Sequence, residues 1–233
     1  MAREQTSNTY VTNQNPSSMF GMYELARILV PGLYFAVLVF LFHVTFLSRF
    51  FVVMLSGWSF FLVFFSTAII AGLTMYAKEA PKRRRAFQEN QPSQYLSSKA
   101  RTMKEMPLLD DSEARRLYFY ILNNHIPPAF YEKIFFFGTV YHIMIQIRRT
   151  SFWFGLVTLA ASAYGISLGM PPEDQQGLLV FTGIVWLVYV LNIRYNKADR
   201  KMQENYQDQI LWMQMNNPLI ESILRKRQSF LSQ

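Results

Sequence analysis

Apolar residues in this chain fall into four long blocks that carry charges only near their ends. The blocks cover residues 25–47, 50–76, 151–170 and 177–193. At a helical rise of about 1.5 Å per residue, about 20 apolar residues cross a hydrocarbon core about 30 Å thick. A water-soluble helix would instead place its apolar residues on one face. The pattern therefore predicts an all-α integral membrane protein with four transmembrane helices.

The order of blocks and polar segments predicts five regions. Residues 1–22 are polar, lack the pattern of a cleavable signal peptide, and predict a mobile N-terminal arm. The first two blocks form an antiparallel hairpin within 23–76, and the last two form a second hairpin within 150–193. Residues 77–149 form a long connecting loop with helices of its own. Residues 194–233 form a basic helical tail.

Two helices are predicted inside the long loop. The first covers residues 111–124, because Asp110 and Glu113 fit the spacing of a capping box at a helix start. The second covers residues 128–149, since proline is favoured in the first turn of a helix. Its polar residues share one narrow stripe, namely Glu132, Thr139, His142, Gln146 and Arg149. A helix this apolar elsewhere must lie in the membrane interface or pack against other helices or another subunit.

Charge predicts which side of the membrane each region occupies. The chain has 23 Lys and Arg residues against 15 Asp and Glu, a net charge of +8. The basic residues concentrate in the long loop and the tail, whereas the turn of the second hairpin holds only Glu173 and Asp174. The positive-inside rule therefore puts both termini and the loop in the cytoplasm. The membrane would be the inner or plasma membrane of a prokaryote, or an organelle membrane.

One rival topology makes the apolar stretch 134–147 a fifth span. That arrangement would place Arg148 and Arg149 outside, the acidic turn inside and the basic tail outside, which reverses the charge rule at three places. The stretch is also about 14 residues long, which is short of a full crossing. Four spans are therefore preferred.

Basic residues beside the predicted membrane surface are assigned to anionic lipid head groups. They follow the second block, precede the third, and lie in a basic amphipathic helix of the tail at 219–231. They are Lys82, Arg83, Arg84, Arg85, Arg148, Arg149, Arg225, Lys226 and Arg227. Nucleic acid is not expected as a partner, because no aromatic platform for stacking bases accompanies them. The expected partners are an anionic bilayer and other membrane subunits or copies of this chain.

Small residues indicate where helices pack closely. Ala161, Gly165 and Gly169 recur at four-residue spacing in the third block, and the second block has a weaker version in Ala68 and Gly72. Such ridges let a second helix backbone approach, and van der Waals contact then holds the helices together in lipid. Packing within the chain is favoured over an oligomer interface.

Pro31 and Gly32, near the start of the first block, are the hinge candidates. A proline inside a helix removes a backbone hydrogen bond and favours a bend. An elbow between a lead-in helix and the span is preferred to a functional hinge. His43 lies near the outer interface, where a structural role is preferred to proton handling, and His142 is expected to satisfy a hydrogen bond in the stripe.

The sequence contains no recognisable catalytic, cofactor-binding or metal-binding motif. The chain has no cysteine, which excludes disulfides and thiolate zinc sites. None of His43, His125 and His142 has a His or carboxylate three or four residues away, so no helical metal-binding face forms. Dinucleotide-binding glycine patterns, phosphate-binding loops and nucleophile elbows are absent from the sequence.

Three functions remain open at this stage. The preferred one is a non-enzymatic structural or accessory subunit of a membrane complex. The second is a homo-oligomeric channel or pore-forming effector, gated by its cytoplasmic helices. The water-filled pore of such a channel would be lined by Ser56, Ser59, Ser66, Thr67 and Thr74. The third, a membrane-embedded enzyme or lipid handler, requires clustered reactive groups that the sequence does not assemble.

Overall fold

The computed structural model describes residues 16–49, 57–86, 91–103 and 108–227, and all regular elements in these ranges are helical. In chain order they are α1 Pro16–Thr45, a 3-10 turn Leu47–Arg49, α2 Gly57–Ala86, α3 Pro92–Thr102, α4 Asp111–Asn124, α5 Pro128–Ser167, α6 Pro172–Tyr195, α7 Ala198–Met215 and α8 Asn217–Arg225. The all-α prediction is confirmed for these ranges. Most of the predicted N-terminal arm, part of the first hairpin and the end of the tail lie outside the described residues.

Within the residues that the structure describes, three helical stretches are long and apolar enough to cross a membrane. They are Gly21–Thr45, Gly57–Glu79 and Pro172–Met215, the last of which begins with α6 and continues through α7. The prediction of a membrane protein with several spans is therefore supported. The predicted span at 151–170 is not among the three, because the small and hydroxyl-bearing residues of α5 dilute its apolar ones.

Helix α5 joins two regions that the sequence analysis treated as separate elements. Residues 128–149 continue without a break into the third apolar block, giving one helix of 40 residues. At about 1.5 Å per residue this helix is about 60 Å long. Its first half packs with α7 and α8, and its second half packs with α1 and α6. Helix α5 therefore connects the polar part of the molecule to its most apolar part.

A hydrophobic core forms among α3, α4, α8 and the adjoining parts of α5 and α7, which we call the helical module. Leu96, Leu117 and Ile220 are fully buried in it. Burying one such side chain contributes about 1.5–3 kcal/mol in water. Ile223 and Leu224 of α8 lie in the same core. The apolar face of the tail helix is therefore covered by protein, which corrects the expectation that it lies on a lipid surface.

Helices α1 and α2 approach each other at two glycines. A Cβ on Gly32 would lie 2.0 Å from the backbone oxygen of Ala68, and a Cβ on Gly72 would lie 2.1 Å from that of Ile28. Any larger side chain would force the helices apart, so only glycine fits. Helix α1 runs through Pro31 without a break. The elbow expected at Pro31 and Gly32 is thus a point of helix contact inside one helix.

Helices α5 and α6 lie side by side and are joined by a turn that Gly169 closes. Gly169 has φ of +68°, beyond the end of α5, and the Met170 N–H donates to the Gly165 carbonyl at 3.0 Å. This is the hydrogen bond of a helix C-terminal glycine motif. Of the predicted ridge, Ala161 is buried between the helices and Gly165 contacts Met170. Gly169 ends the helix instead of extending the ridge.

Candidate functional site

The polar stripe of α5 faces α1 and α2 and is buried. Thr139, His142 and Gln146 are each almost fully covered by protein. Buried polar groups are costly unless they form hydrogen bonds, so a covered polar stripe indicates matching groups on the facing helices. The charged ends of α1 and α2 supply these groups. We call the result the polar network.

The first part of the polar network is centred on Arg27 of α1. The Arg27 Nε donates to Thr139 Oγ1 at 3.2 Å, and its Nη1 pairs with the carboxylate of Glu24. The hydroxyl of Tyr76, from α2, donates to the other oxygen of Glu24. A Cβ on Gly138 would lie 2.8 Å from Arg27 Nη2, so this glycine makes room for the guanidinium. Side chains of three helices therefore meet around one ion pair.

His142 completes this part of the polar network. Its ring lies beside that of Tyr76, with 5.7 Å between the ring centroids. The histidine is buried one turn along α5 from Thr139. It is therefore placed among the polar groups of the stripe, and the hydrogen bond expected of it there stays a prediction.

The second part of the polar network is centred on Glu79 near the end of α2. Its side chain is 2% exposed and pairs with Arg149 Nη1. The Gln146 amide donates to Glu79 Oε2 at 3.1 Å and to the Met75 backbone oxygen at 3.4 Å. A buried carboxylate without a partner costs several kcal/mol. Arg149 and Gln146 therefore hold the end of α2 against α5.

The phenol of Tyr141 lies beside this second ion pair on α5. Burial, together with the nearby carboxylates of Asp199 and Glu79, raises the pKa of Tyr141 to about 12. The phenol is consequently protonated and neutral at any physiological pH. Tyr141 packs with Ala198 and Met202, so it ties α5 to the start of α7 as well.

The polar network can position helices, and its charges are internally balanced. The buried carboxylate of Glu79 and the partly buried carboxylate of Glu24 each face an arginine, so neither is left as an isolated charge. Within the described ranges, no group of three or more His, Cys, Asp or Glu side chains is arranged to hold a metal ion. The first half of α5 also belongs to the helical module, so the same helix carries both sets of contacts.

The basic residues assigned to lipid head groups lie in different environments. Arg148 pairs with Asp199 at 3.3 Å, and the buried Arg227 pairs with Glu113 at 3.3 Å. Lys82, Arg83, Arg84 and Arg85 fall in the last turns of α2, and their side chains lie outside the described part of the chain. Two members at the end of α8 are exposed, Arg225 and Lys226. Arg149, as described above, pairs with Glu79.

Sequence reasoning found the α5 stripe but missed its partners. Glu24, Tyr76 and Glu79 stand at the ends of apolar blocks, where polar residues are ordinary and attract no notice. The usable signal was the stripe itself, because Thr139, His142 and Gln146 on an otherwise apolar helix require polar groups opposite them. Comparison of the chain with protein-family models, curated proteins and solved structures found no match.

Proposed function

We propose that this chain is a non-enzymatic integral membrane protein that crosses the bilayer four times and acts as a structural or accessory subunit of a membrane complex. The observation that carries the proposal is the outer surface of α2. Only 11% of the most apolar part of α2 is buried, against 28% in α1. Ser59, Ser66 and Thr74 are exposed on that surface among large apolar side chains. Hydroxyl-bearing residues of this kind are enriched where helices associate in membranes.

The way in which α5 and α6 run past each other supports the proposal of four crossings. The end of α6 nearest the module holds Asn192, whose amide donates to the Met144 carbonyl of α5 at 3.3 Å. Near the middle of α6, the Thr182 Oγ1 atom lies 3.5 Å from the Ser162 Oγ atom of α5. If α6 spans the membrane, the second half of α5 covers the same depth in the opposite direction. The outward side chains of that half are apolar, as a lipid-facing helix requires.

The packing of the helical module supports placing both ends of the chain on one side of the membrane. Tyr23, at the start of α1, packs on the core of the helical module, which also contains α8 from the tail. The module is built from the basic loop and tail, so the positive-inside rule assigns it to the cytoplasm. The two membrane hairpins, α1 with α2 and α5 with α6, would then both open toward this module.

Topology can be tested directly, because the natural chain has no cysteine. Single cysteines replace Glu173, in the first turn of α6, or Lys226, just after α8; both positions are exposed. In sealed cells, an impermeant maleimide should label E173C from outside and K226C only after permeabilisation. Three crossings by α1, α2 and α6 would reverse this pattern, with K226C labelled from outside. Labelling of both or neither in sealed cells would contradict the four-span arrangement as well.

The subunit function is tested by purifying the full chain in a mild detergent and measuring the mass of the complex by light scattering. A different protein should accompany the chain, and Ser66→Leu should release it by blocking the outer face of α2. Ala163→Leu adds the same bulk to an exposed position of α5 and should leave the complex intact. A parent chain that stays monomeric and alone, or two variants that behave alike, would contradict the proposal.

A homo-oligomeric channel is the second candidate, and the same α2 hydroxyls favour it. A ring of copies would bring Ser59, Ser66, Thr67 and Thr74 together around a wet path. The polar network would then link the helical module to the helices that move. The light-scattering mass separates the two candidates, since a channel contains identical chains only. Conductance of the purified protein in liposomes would complete the distinction.

A further inference from the structure

A cleft opens beside the polar network, between α2 and α5, which both pack on α1. Its volume is about 790 Å³, which lies within the range of about 300–1,000 Å³ typical of ligand pockets. Most of its lining is apolar, including Ala71 of α2 and Val157 of α5. Its charged lining residues are Lys78 and Arg149, and both are basic. The cleft is therefore apolar along its length and cationic at one end.

The dimensions of the cleft match one leaflet of a bilayer. Along α2 it runs from Thr67 to Lys78, which corresponds to about 16 Å at about 1.5 Å per residue. Half of a hydrocarbon core about 30 Å thick is about 15 Å. Lys78 stands at the end of the apolar stretch Gly57–Glu79, so the cationic end lies at the membrane interface. A lipid with its head at Lys78 would extend its acyl chain toward Thr67.

Charge decides which head group fits the cationic end. Arg149 is partly neutralised by Glu79, and its side chain is 38% exposed. Lys78 is exposed, and no described residue forms an ion pair with it. Two cations and one carboxylate leave a single net positive charge beside the cleft. A phosphodiester with one negative charge would balance it, whereas a zwitterionic head group would bring an ammonium close to Lys78.

We propose that this cleft binds one anionic phospholipid, with its phosphate at Lys78 and Arg149 and an acyl chain along Ala71 and Val157. Filling the cleft supplies the van der Waals contacts that an open gap between helices lacks. The inference rests on the proposed membrane insertion. It differs from general attraction to a charged surface, because one lipid is held between two helices at a defined position.

The test is native mass spectrometry of the full chain purified in mild detergent. Palmitoyl-oleoyl phosphatidylglycerol and palmitoyl-oleoyl phosphatidylcholine are added in equal amounts, so that the competing lipids differ only in the head group. The parent should retain one phosphatidylglycerol in preference to phosphatidylcholine. Lys78→Gln should lower the retained phosphatidylglycerol about fivefold, the effect of one interfacial cation. Lys197→Gln removes an exposed lysine just after α6 and should leave the preference unchanged.

Two further variants test the apolar part of the cleft. Ala71→Phe and Val157→Phe should both reduce retention of either lipid, because the added ring occupies the acyl path. Val157 is 49% exposed, so its variant remains informative if Ala71→Phe fails to give the parent's elution volume in size-exclusion chromatography. Unchanged lipid retention in folded Val157→Phe would overturn the proposal.

The remaining outcomes also decide the question. If Lys78→Gln and Lys197→Gln lose retained phosphatidylglycerol to the same extent, the lipid is attracted only to the charged surface. That result would overturn a defined site. Loss of self-association in Val157→Phe, with lipid retention intact, would assign the cleft to a second copy of the chain. Because the lipid measurement uses the isolated chain, it can fail while the co-purification test of the subunit function succeeds. A chain that stays soluble without detergent would instead refute membrane insertion.

Discussion

The helical module and the long apolar helices that we propose to face the membrane (α1, α2, α6 and the second half of α5) differ in how many large apolar side chains they leave exposed. In the module, large apolar residues such as Leu117 and Ile220 are fully buried. In the proposed membrane-facing helices, the α2 side chains of Trp58 and Leu62 are 84% and 69% exposed, whereas the hydroxyl-bearing Thr158 of α5 is fully buried. Water rewards burial of apolar surface and lipid does not, so helices in lipid pack through small and polar residues. If the apolar helices lie in lipid, as proposed above, one chain uses two separate sources of stability.

The polar network lies at the boundary between the two regions and holds them together through charge. Its contacts connect the start of α1, the end of α2 and the middle of α5. Helix α5 is also part of the module core through Ile134 and Phe135. The network is therefore the place where substitution should affect both regions at once.

The largest effect is expected from Arg27→Met at this boundary. Removing one partner of a buried ion pair costs about 3–5 kcal/mol, because the remaining charge is left uncompensated. The Glu24 carboxylate would lose its arginine while it stays largely covered. Thermal unfolding in detergent should show a large drop in the melting temperature. Hydrogen exchange should rise in both the module and α1, since both depend on this contact.

The matched control is the double variant Glu24→Gln with Arg27→Met. It removes both charges, so it should be more stable than Arg27→Met alone, and the two changes should not add. A double variant as unstable as the sum of its single changes would contradict the ion pair. If hydrogen exchange rises in α1 but not in the module, the two regions are independent. The polar network would then not hold them together.

The next largest effect is expected from Leu117→Ala, which tests the stability of the helical module alone. Leu117 is fully buried among α4, α8 and their neighbours. Truncating a leucine in a water-excluded core costs about 2–5 kcal/mol through lost burial and the cavity that remains. Hydrogen exchange by mass spectrometry should show faster exchange in α3, α4 and α8.

Leu62→Ala in α2 is the control for the membrane side. Leu62 is exposed toward the predicted lipid, so its truncation should change stability by no more than about 0.5 kcal/mol. If Leu117→Ala and Leu62→Ala lower the free energy of unfolding equally, burial of apolar side chains would stabilise the two regions to the same extent. The contrast drawn above would then be wrong.

A smaller effect is expected from Gly72→Ala, which tests packing in the membrane-facing part. The added Cβ would lie 2.1 Å from the Ile28 backbone oxygen, so α1 and α2 must separate. Overpacking of this kind costs about 1–3 kcal/mol. Gly183→Ala is the control, because nothing lies within 4 Å of its Cβ. It should be neutral or stabilising by up to about 1 kcal/mol, through helix propensity. Equal melting temperatures for the two variants would contradict the close α1–α2 contact.

Much of the fold was predictable because its signals are local. Apolar blocks located the long helices, and Asp110 correctly indicated the start of α4. Helix α8 was misread, because an apolar face looks the same in sequence whether protein or lipid covers it. The continuity of α5 was missed because Arg148 and Arg149 resemble a boundary. They are accommodated within the helix by pairing with Asp199 and Glu79.

The candidate site was only partly predictable, because its contacts join distant parts of the sequence. Glu24 and Tyr76 are 52 residues apart, and Arg27 and Thr139 are 112 apart. A pattern on one helix shows that polar partners are required but does not say which residues provide them. Those partners depend on how three helices cross, and that crossing depends on glycines such as Gly32.

The smallest predicted effect concerns the cap of α4 and its dependence on pH. The Asp110 carboxylate accepts hydrogen bonds from the backbone N–H groups of Ser112 and Glu113, both at 2.7 Å. The bond from Glu113, together with that from Ser112 and the charges of Arg116 and Arg115, lowers the Asp110 pKa below its ordinary value of 3.8. The charged cap therefore stabilises the folded state fully above pH 3.8. That contribution is lost as the pH falls through the lower folded-state pKa.

Asp110→Asn removes this titration and keeps an oxygen that accepts the same N–H groups. Corrected amide exchange in the first turn of α4, followed from pH 6 to pH 2, should increase at the acid end in the parent and stay flat in Asp110→Asn. Asp111→Asn changes a carboxylate that takes no part in the cap, so this variant should keep the parent's profile. Because the cap belongs to the water-exposed module, exchange in α1 and α2 should not follow it. A flat parent profile would contradict the cap, and a matching acid response in α1 and α2 would mean that the two regions unfold as one unit.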